Sequence, residues 1–240
     1  MRLALFVLVL GVVPNLLFAQ DFSISFGDDS SLSARTLQLF ALITVLSLAP
    51  GLAIMITCFP FIVTVLAILR QALGLQQSPP NMLIVSLALF LTYFVMEPVF
   101  TAAWNDGLKP LTDEQIEVEE AFERTLGPFR VFMAARVDAD TFVAMADLRP
   151  DTVGLEPAAD APLSVLIPSF MLSEISRAFQ VGFLVFLPFL IIDLVVAAVL
   201  MSMGMMMVPP AIVSLPFKLA FFVVADGWSL IAGSLVRSYF

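Results

Sequence analysis

Long apolar runs separated by short polar breaks set the plan of this chain. The first run, Leu3–Val13, is too short to cross a bilayer, which takes about 20 residues per helix. With Arg2 before it, Pro14 after it and Leu17-Phe18-Ala19 beyond, it predicts a signal peptide over residues 1–19, cleaved after Ala19. A polar lead-in, Asp21–Ser33, precedes the run Leu37–Leu73. That run is too long for one ordinary span, and its prolines predict kinks or a helical hairpin at Pro50-Gly51 and at Pro60. Arg70 and the stretch Gln76-Gln77-Ser78-Pro79-Pro80 end it. Asn81–Trp104 reads as a second span, about 36 Å long at 1.5 Å per residue, interrupted at Glu97-Pro98. The last third holds Leu166–Leu200, punctuated at Gly182 and Pro188, then a methionine-rich loop, then Ala211–Val236.

Between these runs the pattern changes. Asn105–Leu163 carries 13 Asp and Glu against 5 Lys and Arg, so nearly all the acidity of the chain sits there. Thr112–Arg124 has the acids of a helix start at Asp113 and Glu114, with Thr112 as a cap. Gly127-Pro128 predicts its break. Phe129–Ala146, apolar at Phe132, Ala135, Val137, Phe142 and Met145, predicts a second amphipathic helix. Arg149–Pro162 reads as a loop. The organisation expected is a signal peptide at 1–19, N-terminal helices at 20–104, an acidic extracytoplasmic segment at 105–163, and a C-terminal helical hairpin with a methionine-rich loop at 164–240. The fold class is all-α, a polytopic membrane-type protein with kinked helical hairpins. Four passes after a cleaved signal put the turn near Arg70–Asn81 and the methionine loop inside, and the acidic segment and the C-terminus outside.

Composition narrows the chemistry. Of 240 residues, 60% are hydrophobic and 13% charged, against roughly 25% charged in soluble domains; mean hydropathy is +1.03. There is no histidine, which removes the commonest general base and metal ligand. Cys58 is the single cysteine, so no intramolecular disulfide and no cysteine metal cage can form. A net charge of −9 argues against a nucleic-acid partner. There is no P-loop, nucleotide fingerprint or nucleophile–base pair. Two membrane aspartates evoke an intramembrane aspartyl protease, but the G-x-G-D pattern of that class is absent. No catalytic residue, metal or cofactor is expected.

Charges inside the apolar runs are the candidate functional residues, because burying them is costly unless they are paired. Asp193 lies in F-L-I-I-D-L-V-V; Lys218 and Asp226 lie in L-P-F-K-L-A-F-F-V-V-A-D-G-W, Leu215–Trp228. Asp193 is 8 residues before Met201 and Lys218 is 8 after Pro210, so a hairpin brings them to similar depth. A structural ion pair between helices or subunits is the favoured reading, with a proton relay as the alternative. Glu174 and Arg177, at i and i+3, can pair on one helix face. Five methionines crowd Met201–Met207. Flexible thioethers can seal a hole and deform around a passing object; apolar filler and Cu(I) coordination are the other readings. Ser229 and Gly233 allow close helix approach.

Several of these pieces occur together in one known family. I-P-S-F-M-L-S-E (Ile167–Glu174), A-F-Q-V-G-F (Ala178–Phe183), F-L-P-F-L-I-I-D-L-V (Phe186–Val195), M-G-M-M-M-V-P-P (Met203–Pro210), and L-P-F-K with D-G-W resemble the FliP/SctR family. C-F-P-F-I-V (Cys58–Val63) and R-Q-A-L-G-L-Q-Q-S-P-P-N (Arg70–Asn81) fit it too. The resemblance implies a core subunit of the flagellar type III export gate, with no catalysis of its own. It implies partnership with FliQ, FliR, FlhB and other export-apparatus subunits, a homo-oligomer (a pentamer) within the complex, and unfolded proteins as substrates. It implies the bacterial inner membrane at the flagellar basal body, with the family's helices largely in a protein assembly above the bilayer plane. The signal peptide favours the flagellar branch. On this reading Met205, Met206 and Met207 form a pore gasket, and Glu174, Asp193, Lys218 and Asp226 are buried charges that serve assembly. A small-solute or ion channel is the competing class.

Overall fold

The computed structural model describes residues 32–75, 78–205 and 207–240. The expected signal peptide and its cleavage site lie outside them, as does Met206. The chain divides into two units, Met1–Leu46 and Ser47–Phe240. Of the first, the helical backbone of residues 32–46 is described; the second holds the apolar cores.

All regular structure among the described residues is helical. The elements are α1 (Leu32–Met55), α2 (Phe59–Ala72), α3 (Asn81–Ala103), a π-helical turn (Trp104–Leu108), α4 (Lys109–Thr112), α5 (Val118–Arg136), α6 (Ala139–Ala146), α7 (Leu163–Ser202), α8 (Pro210–Val224) and α9 (Gly227–Arg237). α3, the π turn and α4 run on as one 32-residue helix, and α7 has 40 residues, about 60 Å at 1.5 Å per residue. Both are long and apolar enough to cross a membrane; α8 and α9, bent by 62° at their junction, are together apolar enough for a broken span or a re-entrant loop.

Several predicted breaks are continuous helix. The backbone stays helical through residues 50–51, and the run is cut instead at Ile56–Cys58, with Pro60 in the first turn of α2, where a proline loses no intrahelical bond. Pro98 lies inside α3, and Gly182 and Pro188 lie inside α7. In an apolar setting a helix is the conformation that satisfies its own backbone groups, so proline bends it more readily than it ends it. Gly127-Pro128 likewise falls within α5, not between two helices. Phe129, Phe132 and Met133 on its apolar side pack into the cores, and such packing outweighs local propensity. α5 starts at Val118 and not at Thr112, which closes α4. The predicted helix Phe129–Ala146 is divided at Val137-Asp138, where Asp138 accepts the Thr141 amide at 2.9 Å and so caps α6.

Two cores organise the second unit. The larger is built on α2, whose Phe61, Ile62, Val65 and Leu69 are fully buried among Ala88 and Met96 of α3, Ala178 and Phe189 of α7, Phe222 of α8 and Leu235 of α9. α7 is its main neighbour; Gly182 permits the approach, since a Cβ there would meet Ile68. The smaller core joins the acidic segment to the start of α7 through Met133, Phe142, Ala146, Val165, Leu166 and Phe170. Outside the cores, α3 presents Met82, Phe90, Tyr93 and Phe94, and α7 presents Phe179, Phe183, Leu184, Ile191 and Leu194, all exposed. Apolar surface on this scale calls for lipid or protein against it.

Candidate functional site

The sequence-predicted residues occupy four places. The first is a charge node on α7 and α8. Lys218 Nζ lies 2.6 Å from Asp193 Oδ2 and donates to the carbonyl of Ala72 at 3.0 Å. Ser214, one turn before Lys218, donates its hydroxyl to Asp193 Oδ1 at 2.5 Å. The Lys218 side chain is 7% exposed, that of Asp193 33%. Local sequence makes this geometry. Ala72 is the last residue of α2, and Gly74 follows in the left-handed region at φ 77°, so the chain turns away and leaves the helix-end carbonyl open. The negative end of the α2 dipole then faces an ammonium. One cation thus ties α2, α7 and α8.

The second node surrounds Glu174, whose side chain is fully buried in α7. Its Oε1 accepts from Arg136 Nε at 3.2 Å and Nη2 at 3.1 Å, and from Arg177 Nη1 at 2.9 Å. Tyr239 donates its hydroxyl to Oε2. Arg136 Nη1 donates to the Ser238 carbonyl at 2.8 Å, and its guanidinium stands 4.1 Å from the centre of the Tyr239 ring. Burial and the Glu174 carboxylate push the Tyr239 pKa up, so its hydroxyl keeps its proton and remains a donor. A buried carboxylate needs this many partners; Arg177 alone, the one neighbour visible from helical spacing, would leave Oε2 bare.

The remaining sequence-predicted residues stand apart from both nodes. Asp226 is not buried: it is exposed at the junction of α8 and α9, at φ 48°, and its side chain makes no capping bond. The apolar run around it suggested burial, but the helix ends at Val224 and the bend turns Asp226 outward. Met205 is exposed and Met207 is 97% exposed, in the loop between α7 and α8. Both are left out of the two cores. Among the described residues no group of three or more His, Cys, Asp or Glu side chains could hold a metal ion.

Ala72, Ser214, Arg136 and Tyr239 were not singled out from the sequence. A backbone carbonyl carries no residue signature, and Arg136 and Tyr239 reach Glu174 over 38 and 65 positions of chain. The weak cue for Tyr239 is rarity, as one of two tyrosines in 240 residues.

Long apolar helices with uncovered faces, and polar side chains gathered into ion-paired nodes, define a helical membrane-type protein whose surface is made for assembly or for lipid. The chain belongs to the FliP family, whose family model matches residues 42–235. Its relatives include three proteins named flagellar biosynthetic protein FliP. That of Caulobacter vibrioides is 54% identical over 233 residues, covering 95% of this chain and 86% of the relative. That of Agrobacterium fabrum is 47% identical, covering 99% of both. That of Bacillus subtilis is 45% identical over 210 residues, covering 86% of this chain and 93% of the relative.

Proposed function

We propose that this chain is a core subunit of the flagellar type III export gate, forming with FliQ and FliR the conduit for unfolded flagellar proteins. The observation that carries this reading is family membership across most of the chain, with relatives of nearly equal length named for flagellar biosynthesis. The exposed faces of α3 and α7 support it, because a ring of like subunits and partner helices would cover them. The subunit acts in the bacterial inner membrane at the flagellar basal body, as several copies in one complex, and by resemblance as a pentamer, with FlhB and other export components beside it.

On this reading the residues divide by task. Lys218 and Asp193 fix the register of α2, α7 and α8, so that each copy enters the ring with the same shape. Glu174 holds the acidic segment to α7. Met205, Met206 and Met207 of each copy form the gasket of the closed conduit, where flexible thioethers exclude water and ions yet give way to a polypeptide. The subunit transfers no chemical group; it lowers the barrier to passage by providing a path that water does not fill when idle.

The test is export itself. A strain lacking this chain should release no flagellar filament or hook protein into the medium, and the intact chain supplied in trans should restore release. Normal secretion by the deleted strain would overturn the proposal.

A further inference from the structure

We propose that the segment Ser238–Tyr239, which follows α9, is a clasp that fastens the C-terminal half of α5 to α7. The fastening sets how the acidic segment is held. The inference rests on the contacts of the Tyr239 side chain and of the Ser238 carbonyl, and stands apart from the export reading.

Tyr239 touches three helices at once. Its ring packs edge-on to Phe61 of α2, with centroids 5.7 Å apart, and stacks on Phe132 of α5 at 6.1 Å and 17°. Its hydroxyl donates to Glu174 of α7. Arg136, the last residue of α5, sets its guanidinium over the ring, 4.1 Å from its centre, and donates to the Ser238 carbonyl. So α5 is gripped twice from this segment, by a stack at Phe132 and by a cation at Arg136. The grip falls where α5 ends and the chain turns out at Val137, which has an extended backbone at φ −63° and ψ 139°.

Without the segment, α5 keeps its other attachments. Phe132 also meets Phe170 edge-on at 5.7 Å, Met133 remains in the smaller core, and Arg136 still pairs with Glu174. Asp138 N–H still donates to Ser173 Oγ at 3.0 Å. Loss of the clasp therefore loosens the acidic segment rather than unfolding the chain. The larger core on α2 loses the packing of Tyr239, including its edge contact with Phe61, and keeps its partners on α3, α7 and α8. Phe240, 78% exposed, is the natural control.

Amide hydrogen exchange on the full chain in detergent tests this. Tyr239→Ala should speed exchange at residues 129–146 at least tenfold, and at residues 61–69 of α2 by far less. Tyr239→Phe, which keeps the ring and removes the hydroxyl, should speed the same amides severalfold. Phe240→Ala should match the unmodified chain. If Tyr239→Ala yields no folded protein, Tyr239→Phe decides by the same pattern. Unchanged exchange at 129–146 overturns the clasp. Faster exchange spread evenly over α2 and α5 also overturns it, because Tyr239 is then a core residue of the whole unit.

Discussion

Lys218 makes a point about single residues in apolar surroundings: a charge there must be satisfied on every side that lacks water. Its ammonium meets one carboxylate and one helix-end carbonyl. Lys218→Ala should therefore take the cation from Asp193, which keeps the Ser214 hydroxyl, and the donor from the Ala72 carbonyl; with Asp193 a third exposed, the cost should fall below the roughly 3–5 kcal/mol of a fully buried pair. Cell-envelope levels of the protein and motility should both fall, measured by immunoblot and swim-plate diameter. The exchanged pair, Lys218→Asp with Asp193→Lys, should recover little, since a carboxylate would then face the Ala72 carbonyl; full recovery would show that the carbonyl bond is dispensable. The spacing of Asp193 and Lys218 about the methionine loop places them at one depth on sequence alone. Their shared partners were hidden, because Ala72 contributes only backbone and Ser214 looks like any small residue of an apolar helix.

At the scale of elements, two glycines mark where helices touch, and they differ in what a methyl group would strike. A Cβ on Gly107 would meet the Thr125 side chain, the Thr125 amide nitrogen at 2.6 Å and the Ala121 carbonyl at 2.9 Å, so α5 itself would have to move from the π turn. A Cβ on Gly182 would meet the Ile68 side chain first, at its Cδ1, and a rotamer change can move that methyl away. Gly107→Ala should lower the midpoint of thermal unfolding clearly, as overpacking of about 1–3 kcal/mol does, whereas Gly182→Ala should lower it less; the reverse order would contradict this packing. α6 offers a pH test. The Thr141 amide and hydroxyl hold the Asp138 carboxyl below its ordinary pKa, so its cap is complete above the unfolded value, about 3.9, and fades as pH falls through the lower folded value. The protection of residues 139–146, taken as the intrinsic amide exchange rate at each pH divided by the observed rate, should fall under acid in the unmodified chain, and this fall should vanish in Asp138→Asn, whose amide oxygen still accepts. Apolar periodicity made the helical content and the principal runs legible, because lipid-like surroundings leave helices as the available structure. Helix continues through Pro50 and Pro188, and through Gly127-Pro128 where a break was expected, because proline and glycine end helices in water more readily than among packed apolar neighbours. Asp138, lying in an Ala-Arg-Val-Asp-Ala-Asp-Thr stretch, was a cap signal concealed inside a run of helical spacing.

For the whole molecule, the two charge nodes tie helices to one another while the methionine loop and the faces of α3 and α7 stay uncovered. That division suits a part that is completed by copies of itself and by partners. Replacing Met205, Met206 and Met207 with alanine should leave assembly intact, since no charge is stranded, and should raise the ion conductance of membranes holding the closed complex; wild-type conductance would return these methionines to the role of filler. Whether the chain is a gate subunit or a channel by itself is decided most directly by native mass spectrometry of the complex, extracted in mild detergent through a tag on this chain. A gate subunit should appear in one stable species containing several copies of this chain together with FliQ and FliR. A homo-oligomer free of both, conducting ions after reconstitution, would contradict the gate reading.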